Sequence, residues 1–119
     1  MLVKFLTAAL LLVSLNAYAC WKVEGSLAVD GETWKINQKF EHNKEYILPM
    51  GPFILKMLIK SGKKTQTLNY VVQEKKGTVL SLVTQGTEDD IKVGESRDIY
   101  AKGEEGLPNS IIIVKLTNI

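Results

Sequence analysis

The sequence predicts an all-β protein, an antiparallel β-sandwich of immunoglobulin-like or related Greek-key type with about eight strands. Three observations predict it. Apolar, β-branched runs of strand length recur with turn residues about every 8 to 12 residues. No stretch after the amino-terminal segment sustains a helical apolar stripe. One Asp-Gly pair sits between two runs whose apolar residues fall on one face when the runs are paired. A small closed β-barrel is the alternative. The sandwich is preferred because "FILKMLI" and "SIIIVKL" carry apolar residues on both faces.

The hairpin "SLAVDGETWKI" is the clearest element. Asp30 and Gly31 tolerate the positive φ that a two-residue type I′ turn demands. If Val29 pairs with Glu32, then Leu27 meets Trp34, Gly25 meets Ile36 and Trp21 meets Phe40. The large apolar residues then share one side, while Lys22, Glu24, Lys35, Asn37 and Lys39 share the other. "EHNKEY" reads as a turn and "EYIL" as a short strand, broken by "PMGP" because proline has no N–H to donate. "FILKMLIK" follows, with Phe53, Leu55, Met57 and Ile59 on one face and Ile54, Lys56, Leu58 and Lys60 on the other. "SGKK" turns the chain into "TQTLNYVVQE", where Leu68, Tyr70 and Val72 align, and "KKG" turns it into "TVLSLVT", with Leu80 and Leu82 on one face. "QGTEDD" reads as a polar loop. "IKV" and "RDIYA" flank "GES", and "KGEEGLPN" is the longest loop. "SIIIVKLTNI" suits a central strand covered on both faces. The expected core is Leu27, Trp34, Ile36, Leu55, Met57, Leu82, Ile112 and Val114.

Residues 1–19 have the three parts of a secretory signal peptide: the positive Lys4, the uncharged apolar run "FLTAALLLVSL", and Ala17 and Ala19 before Cys20. The run falls short of the roughly 20 apolar residues a membrane-spanning helix needs, and later apolar runs are interrupted by Lys56 and Lys115. The expectation is residues 1–19 as signal peptide, residues 20–119 as one domain, and a periplasmic or secreted protein. A cut before Cys20 has a competing meaning, in which Cys20 accepts lipid and the protein is an outer-membrane lipoprotein. Tyr18 departs from the small residue usual two places before a lipidated cysteine. Membrane anchoring is expected only with that lipidation. Cys20 is the only cysteine, so no disulfide forms within the chain, and its thiol is a candidate for intermolecular pairing.

Removing residues 1–19 leaves 100 residues and a formal charge of +1, which gives no general reason to expect nucleic acid. The single histidine, His42, lies in a polar turn, and nothing in the spacing selects Ser96 and Asp98 as its partners. A histidine cluster or a cysteine-based zinc site is excluded by composition. "TEDD" offers carboxylates to calcium but lacks the alternating acidic spacing and central glycine of a calcium loop. "GEEG" is weaker still. No catalytic residue, metal or cofactor is therefore assigned.

Two features suggest binding. Met50 and Phe53 in "PMGPF" lie in an apolar loop that either folds over the end of the core or serves as a partner-binding tip. Lys56 and Lys60 share a strand face, with Lys63, Lys64, Lys75 and Lys76 in nearby turns, which suits an anionic surface or simple solubility. The functional expectation is a small exported, non-catalytic binding or adaptor module of the bacterial cell envelope with a protein partner. A loop-based inhibitor of a secreted enzyme, acting through "PMGPF" or "GEEGLPN", and a small hydrolase using His42 are the alternatives.

Overall fold

The computed structural model describes residues 20–118. The signal-peptide expectation falls on residues 1–19, outside the described residues. Eight strands follow in order: β1 (Cys20–Val29), β2 (Glu32–Glu41), β3 (Glu45–Met50), β4 (Phe53–Ser61), β5 (Gln66–Lys76), β6 (Val79–Ile91), β7 (Ser96–Ala101) and β8 (Ser110–Asn118). They form two four-stranded antiparallel sheets, ordered β2-β1-β8-β7 and β3-β4-β5-β6. The protein is a β-sandwich and not a closed barrel, because neither β2 with β3 nor β6 with β7 forms a ladder.

The connections correct the Greek-key expectation. Consecutive strands are neighbours throughout each sheet, and the one non-consecutive pair is β1 with β8. The links between sheets are residues 42–44 and residues 92–95, and links that short reach only the adjacent edge of the other sheet. A Greek key needs a long return connection. The longest loop, residues 102–109, is spent inside the first sheet between β7 and β8.

The first hairpin follows its sequence. Val29 pairs with Glu32, Leu27 with Trp34, Gly25 with Ile36 and Trp21 with Phe40. Asp30 and Gly31 have φ of 52° and 77°, as a type I′ turn requires. Gly31→Val should therefore cost about 1 kcal/mol or more, because a β-branched residue resists positive φ. Urea unfolding measures this, and an unchanged midpoint would contradict the turn assignment.

Between the sheets lies one core to which every strand contributes: Val23, Leu27, Ile36, Phe40, Leu48, Leu55, Met57, Ile59, Leu68, Val72, Ile91, Ile99, Ile112, Val114 and Leu116 are all buried. Two expected core residues differ. Trp34 is only half-buried and packs at the margin. Leu82 is half-buried while its neighbours Val83 and Thr84 are both buried. The cause is an irregularity in the β5–β6 ladder, where the register shifts between Val72 and Gln73. The extra residue reverses the alternation, so Leu80 and Leu82 turn to the outer face, where Leu80 is exposed.

Two further readings change. "QGTEDD" is not a loop but the second half of β6, paired with β5 as far as Gln66 opposite Ile91. Its polar residues are used across the ladder: the Thr87 hydroxyl donates to Asn69 Oδ1 at 2.9 Å and Thr67 donates to Asp89 at 3.3 Å. The last strand, β8, is central as expected, but only its inner face is covered; Ile111 is 38% exposed and Ile113 half-buried on the outer face.

Tyr70 lies opposite Gly86, and a Cβ at that glycine would strike the phenol oxygen. Burial, and secondarily the charge of Glu88, pushes the phenol above its ordinary pKa of 10.0. Folding therefore favours the neutral phenol. That contribution is complete below about pH 10 and is lost as pH rises through the folded-state value. Thermal melting between pH 8 and 11 should show an alkaline loss of stability that Tyr70→Phe reduces. An identical pH profile in the variant would contradict it.

Candidate functional site

The residues expected to bind a partner do not form one site. Met50 and Phe53 are the last pair of the β3–β4 hairpin, joined through Gly51 at φ 59°. Both side chains are buried, which fits the core-covering reading of this segment and not an exposed binding tip. The Trp34 ring meets Phe53 edge-on at 5.6 Å between centroids and lies over Gly51, where a Cβ would stand 3.0 Å from it. The "PMGPF" loop therefore folds over the end of the core, with Trp34 as its cover. Sequence pattern placed Trp34 inside; its position over a glycine turn of the other sheet depends on how the sheets stack.

Lys56 and Lys60 lie on the opposite, outer face of the second sheet. Lys56 is half-buried between Ile47 and Val71 on the flanking strands, and Lys60 is exposed opposite Thr67. A lysine stem can cover such apolar neighbours while its ammonium stays in water. Lys63 and Lys64 occupy the β4–β5 turn, at the other end of β5 from Lys75 and Lys76. Lys76 is paired with Glu74 at 3.6 Å.

His42, Ser96 and Asp98 are not brought together. His42 follows β2 at one edge of the first sheet; Ser96 and Asp98 sit on β7 at the other, with β1 and β8 between. At normal strand spacing the two edges are roughly 14 Å apart. His42 is not a solvated turn residue either. Its ring stacks on Trp21 at 4.4 Å between centroids, and its Nε2 is buried without a hydrogen bond.

The acidic run is also accounted for. Arg97 donates to Glu88 Oε1 at 2.6 Å and to the carbonyl oxygens of Asp89 and Asp90. Asp89 and Asp90 accept from Thr67 and Thr65. Among the described residues no cluster of histidine, cysteine and carboxylate side chains has the arrangement of a metal site. Cys20 opens β1 opposite Glu41 and is 6% exposed.

The two seams between the sheets differ. The β6–β7 seam is fastened by side-chain and backbone hydrogen bonds at both ends of β7. Arg97 bridges from β7 to β6, the Thr84 hydroxyl donates to the Lys102 carbonyl at 2.8 Å, and the Glu104 amide donates to the Val83 carbonyl at 2.8 Å. Among the described residues the β2–β3 seam has no arginine bridge, and the contacts across it are mainly between rings, near its two ends. At one end Tyr46 stacks on Phe40 at 4.3 Å, and its hydroxyl accepts from the Glu41 amide at 2.8 Å. At the other end Trp34 covers Gly51.

Between these ends runs a groove of about 190 Å³, lined by residues 35–38 of β2 and 48–50 of β3. Its apolar floor is Ile36, Leu48 and Met50, all buried. Gln38 marks the opening. It lies opposite the fully buried Val23, at a position whose strand neighbours Ile36 and Phe40 face the core, yet it is exposed. A polar residue is stable there because the second sheet does not close over it. The sequence carried this signal, a glutamine in an apolar series, but only the stacking of the sheets shows its meaning.

A second hollow, about 390 Å³, lies at the base of the β7–β8 loop, between Tyr100, Lys102, Asn109 and Ile111. Tyr100 beside it is 76% exposed. No helix among the described residues is long and apolar enough to cross a membrane. No protein family, curated protein or solved structure compared with this chain matches it.

Proposed function

We propose that the protein is a small exported, non-catalytic binding or adaptor module of the bacterial cell envelope, and that the open β2–β3 seam is where it engages a protein partner. The observation that carries this reading is the contrast between the seams. One is closed by an arginine bridge and hydrogen bonds, while the other leaves a strand edge and an apolar floor beside an exposed Gln38. Strand addition at an open sheet edge is one recurring way of binding extended chains. The case for export rests on the charged, apolar and small-residue parts of residues 1–19. The seam replaces Met50 and Phe53 as the site, since it reaches Met50 only as floor.

The same reading makes the mature protein periplasmic or secreted, starting at an unmodified Cys20. Intact mass of the protein from the secreting cell tests this, and a diacylglyceryl increment would instead establish an outer-membrane lipoprotein. The seam is tested by photo-crosslinking in the same cells. A photoreactive residue at Gln38 should give one discrete adduct in the envelope fraction, and the same residue at Thr117 on the outer face should not. No adduct at Gln38, or equal adducts at both positions, would overturn the assignment.

A further inference from the structure

We propose that the free edge of β2 binds an extended segment by strand addition, and that this segment alternates acidic and apolar residues. The proposal rests on the binding-module reading and specifies the chemistry of its partner.

Backbone direction comes first. The Glu41 amide donates to the hydroxyl of Tyr46, which stands across the seam on β3. The Glu41 amide therefore points away from β1. Backbone groups alternate in direction along a strand, so the amides and carbonyls of Lys35, Asn37 and Lys39 point the same way. No strand pairs with this edge among the described residues. The edge is ten residues long and contains no proline, whereas the facing β3 carries Pro49. Strand addition is therefore suited to β2 and hindered on β3.

Side-chain chemistry then selects the segment. A strand added beside β2 places alternate side chains over the seam and on the outer face. Those over the seam lie beside Gln38 and above Ile36, Leu48 and Met50, a floor that favours apolar side chains. Those on the outer face stand about 4.5–5.5 Å from Lys35 and Lys39. Both lysines are exposed, and neither has a carboxylate partner among the ion pairs of the described residues. Acidic residues four apart, with apolar residues just inside them, satisfy both faces in either strand direction.

A second copy of this chain is disfavoured by the same charges. Antiparallel pairing of two β2 edges about Asn37 sets Lys35 of one copy against Lys39 of the other, and like charges directly opposite are destabilising. The lysines thus disfavour that register of self-association while favouring an acidic segment.

The test uses the secreted protein, labelled with nitrogen-15, and a capped peptide bearing glutamate, valine, threonine, valine and glutamate in that order. The control peptide has lysine in place of glutamate. At millimolar peptide, the amide resonances of Lys35, Asn37 and Lys39 should shift and exchange more slowly with solvent. The acidic peptide should bind at least tenfold more tightly than the control at low salt, and the difference should shrink as salt screens the charges. The double variant Lys35→Glu, Lys39→Glu should invert the preference. Shifts confined to other strands, no shifts, or equal binding of the two peptides would overturn strand addition by an acidic segment. Crosslinking at Gln38 with no peptide effect would leave the binding-module reading standing and remove only this one.

Discussion

Ile112→Ala should lower the free energy of unfolding by about 2 to 5 kcal/mol. Ile112 lies on β8, the strand flanked by β1 and β7, and it is fully buried. Its pairs are Leu27 on one side and Ile99 on the other, both also buried. Truncation removes apolar burial and leaves a cavity that paired strands on both sides cannot collapse into. A domain of this size commonly has only about 5–15 kcal/mol of stability in total, and no disulfide within the chain can offset the loss. Leu55→Ala should behave alike, since Leu55 is fully buried between Leu48 and Val72. Ile111→Ala is the control. It is the next residue along β8 but faces outward, and its cost should stay near 0.5 kcal/mol. Chemical denaturation of the variants measures all of these. Equal losses for Ile111→Ala and Ile112→Ala would contradict the assignment of faces.

Gly25→Ala should be destabilising by about 3 kcal/mol or more, the upper end for an overpacked interior. Gly25 pairs with Ile36 on β2 and Val114 on β8. An added Cβ would collide with the backbone carbonyl oxygen of Ile113. A side chain could rotate away, but this oxygen belongs to a ladder and can move only if the β1–β8 pairing distorts. The expected result is a lower melting temperature with loss of amide-exchange protection around Ile113. Gly31→Ala, at a glycine with nothing near its Cβ position, isolates the conformational cost from the steric one. If Gly25→Ala melts with the parent protein, β1 and β8 are not packed as described.

Much of the fold was legible because local chemistry and tertiary structure agree in particular places. The first hairpin could be registered residue by residue: the Asp30–Gly31 turn sets the loop length, and period-two alternation then leaves one pairing that puts Leu27, Ile36 and Phe40 on one side. The strands "FILKMLIK" and "SIIIVKL" could be found for the same reason, since burial of one face requires regular alternation. Polar β6 was hidden, because an edge strand can satisfy itself with threonine, asparagine and aspartate, which are also the residues of loops. Leu82 was misplaced because one register shift in a ladder reverses every later side chain, and no local sequence signal marks that shift.

The sequence by itself determined an all-β chain of about eight strands, the register of its first hairpin, and most of the core. It also held the residues on which the proposed strand addition rests: Lys35, Lys39 and Gln38. Only the tertiary structure decided that the strands run up and down in two sheets, that Met50 and Phe53 turn inward, and that one seam is fastened while the other is open. The physical reason is range. Turn residues and alternation act between neighbours along the chain or across one ladder. The seams depend on which edges meet when two sheets stack, and that is settled by contacts such as Arg97 with Glu88 and Trp34 over Gly51, between residues on different strands.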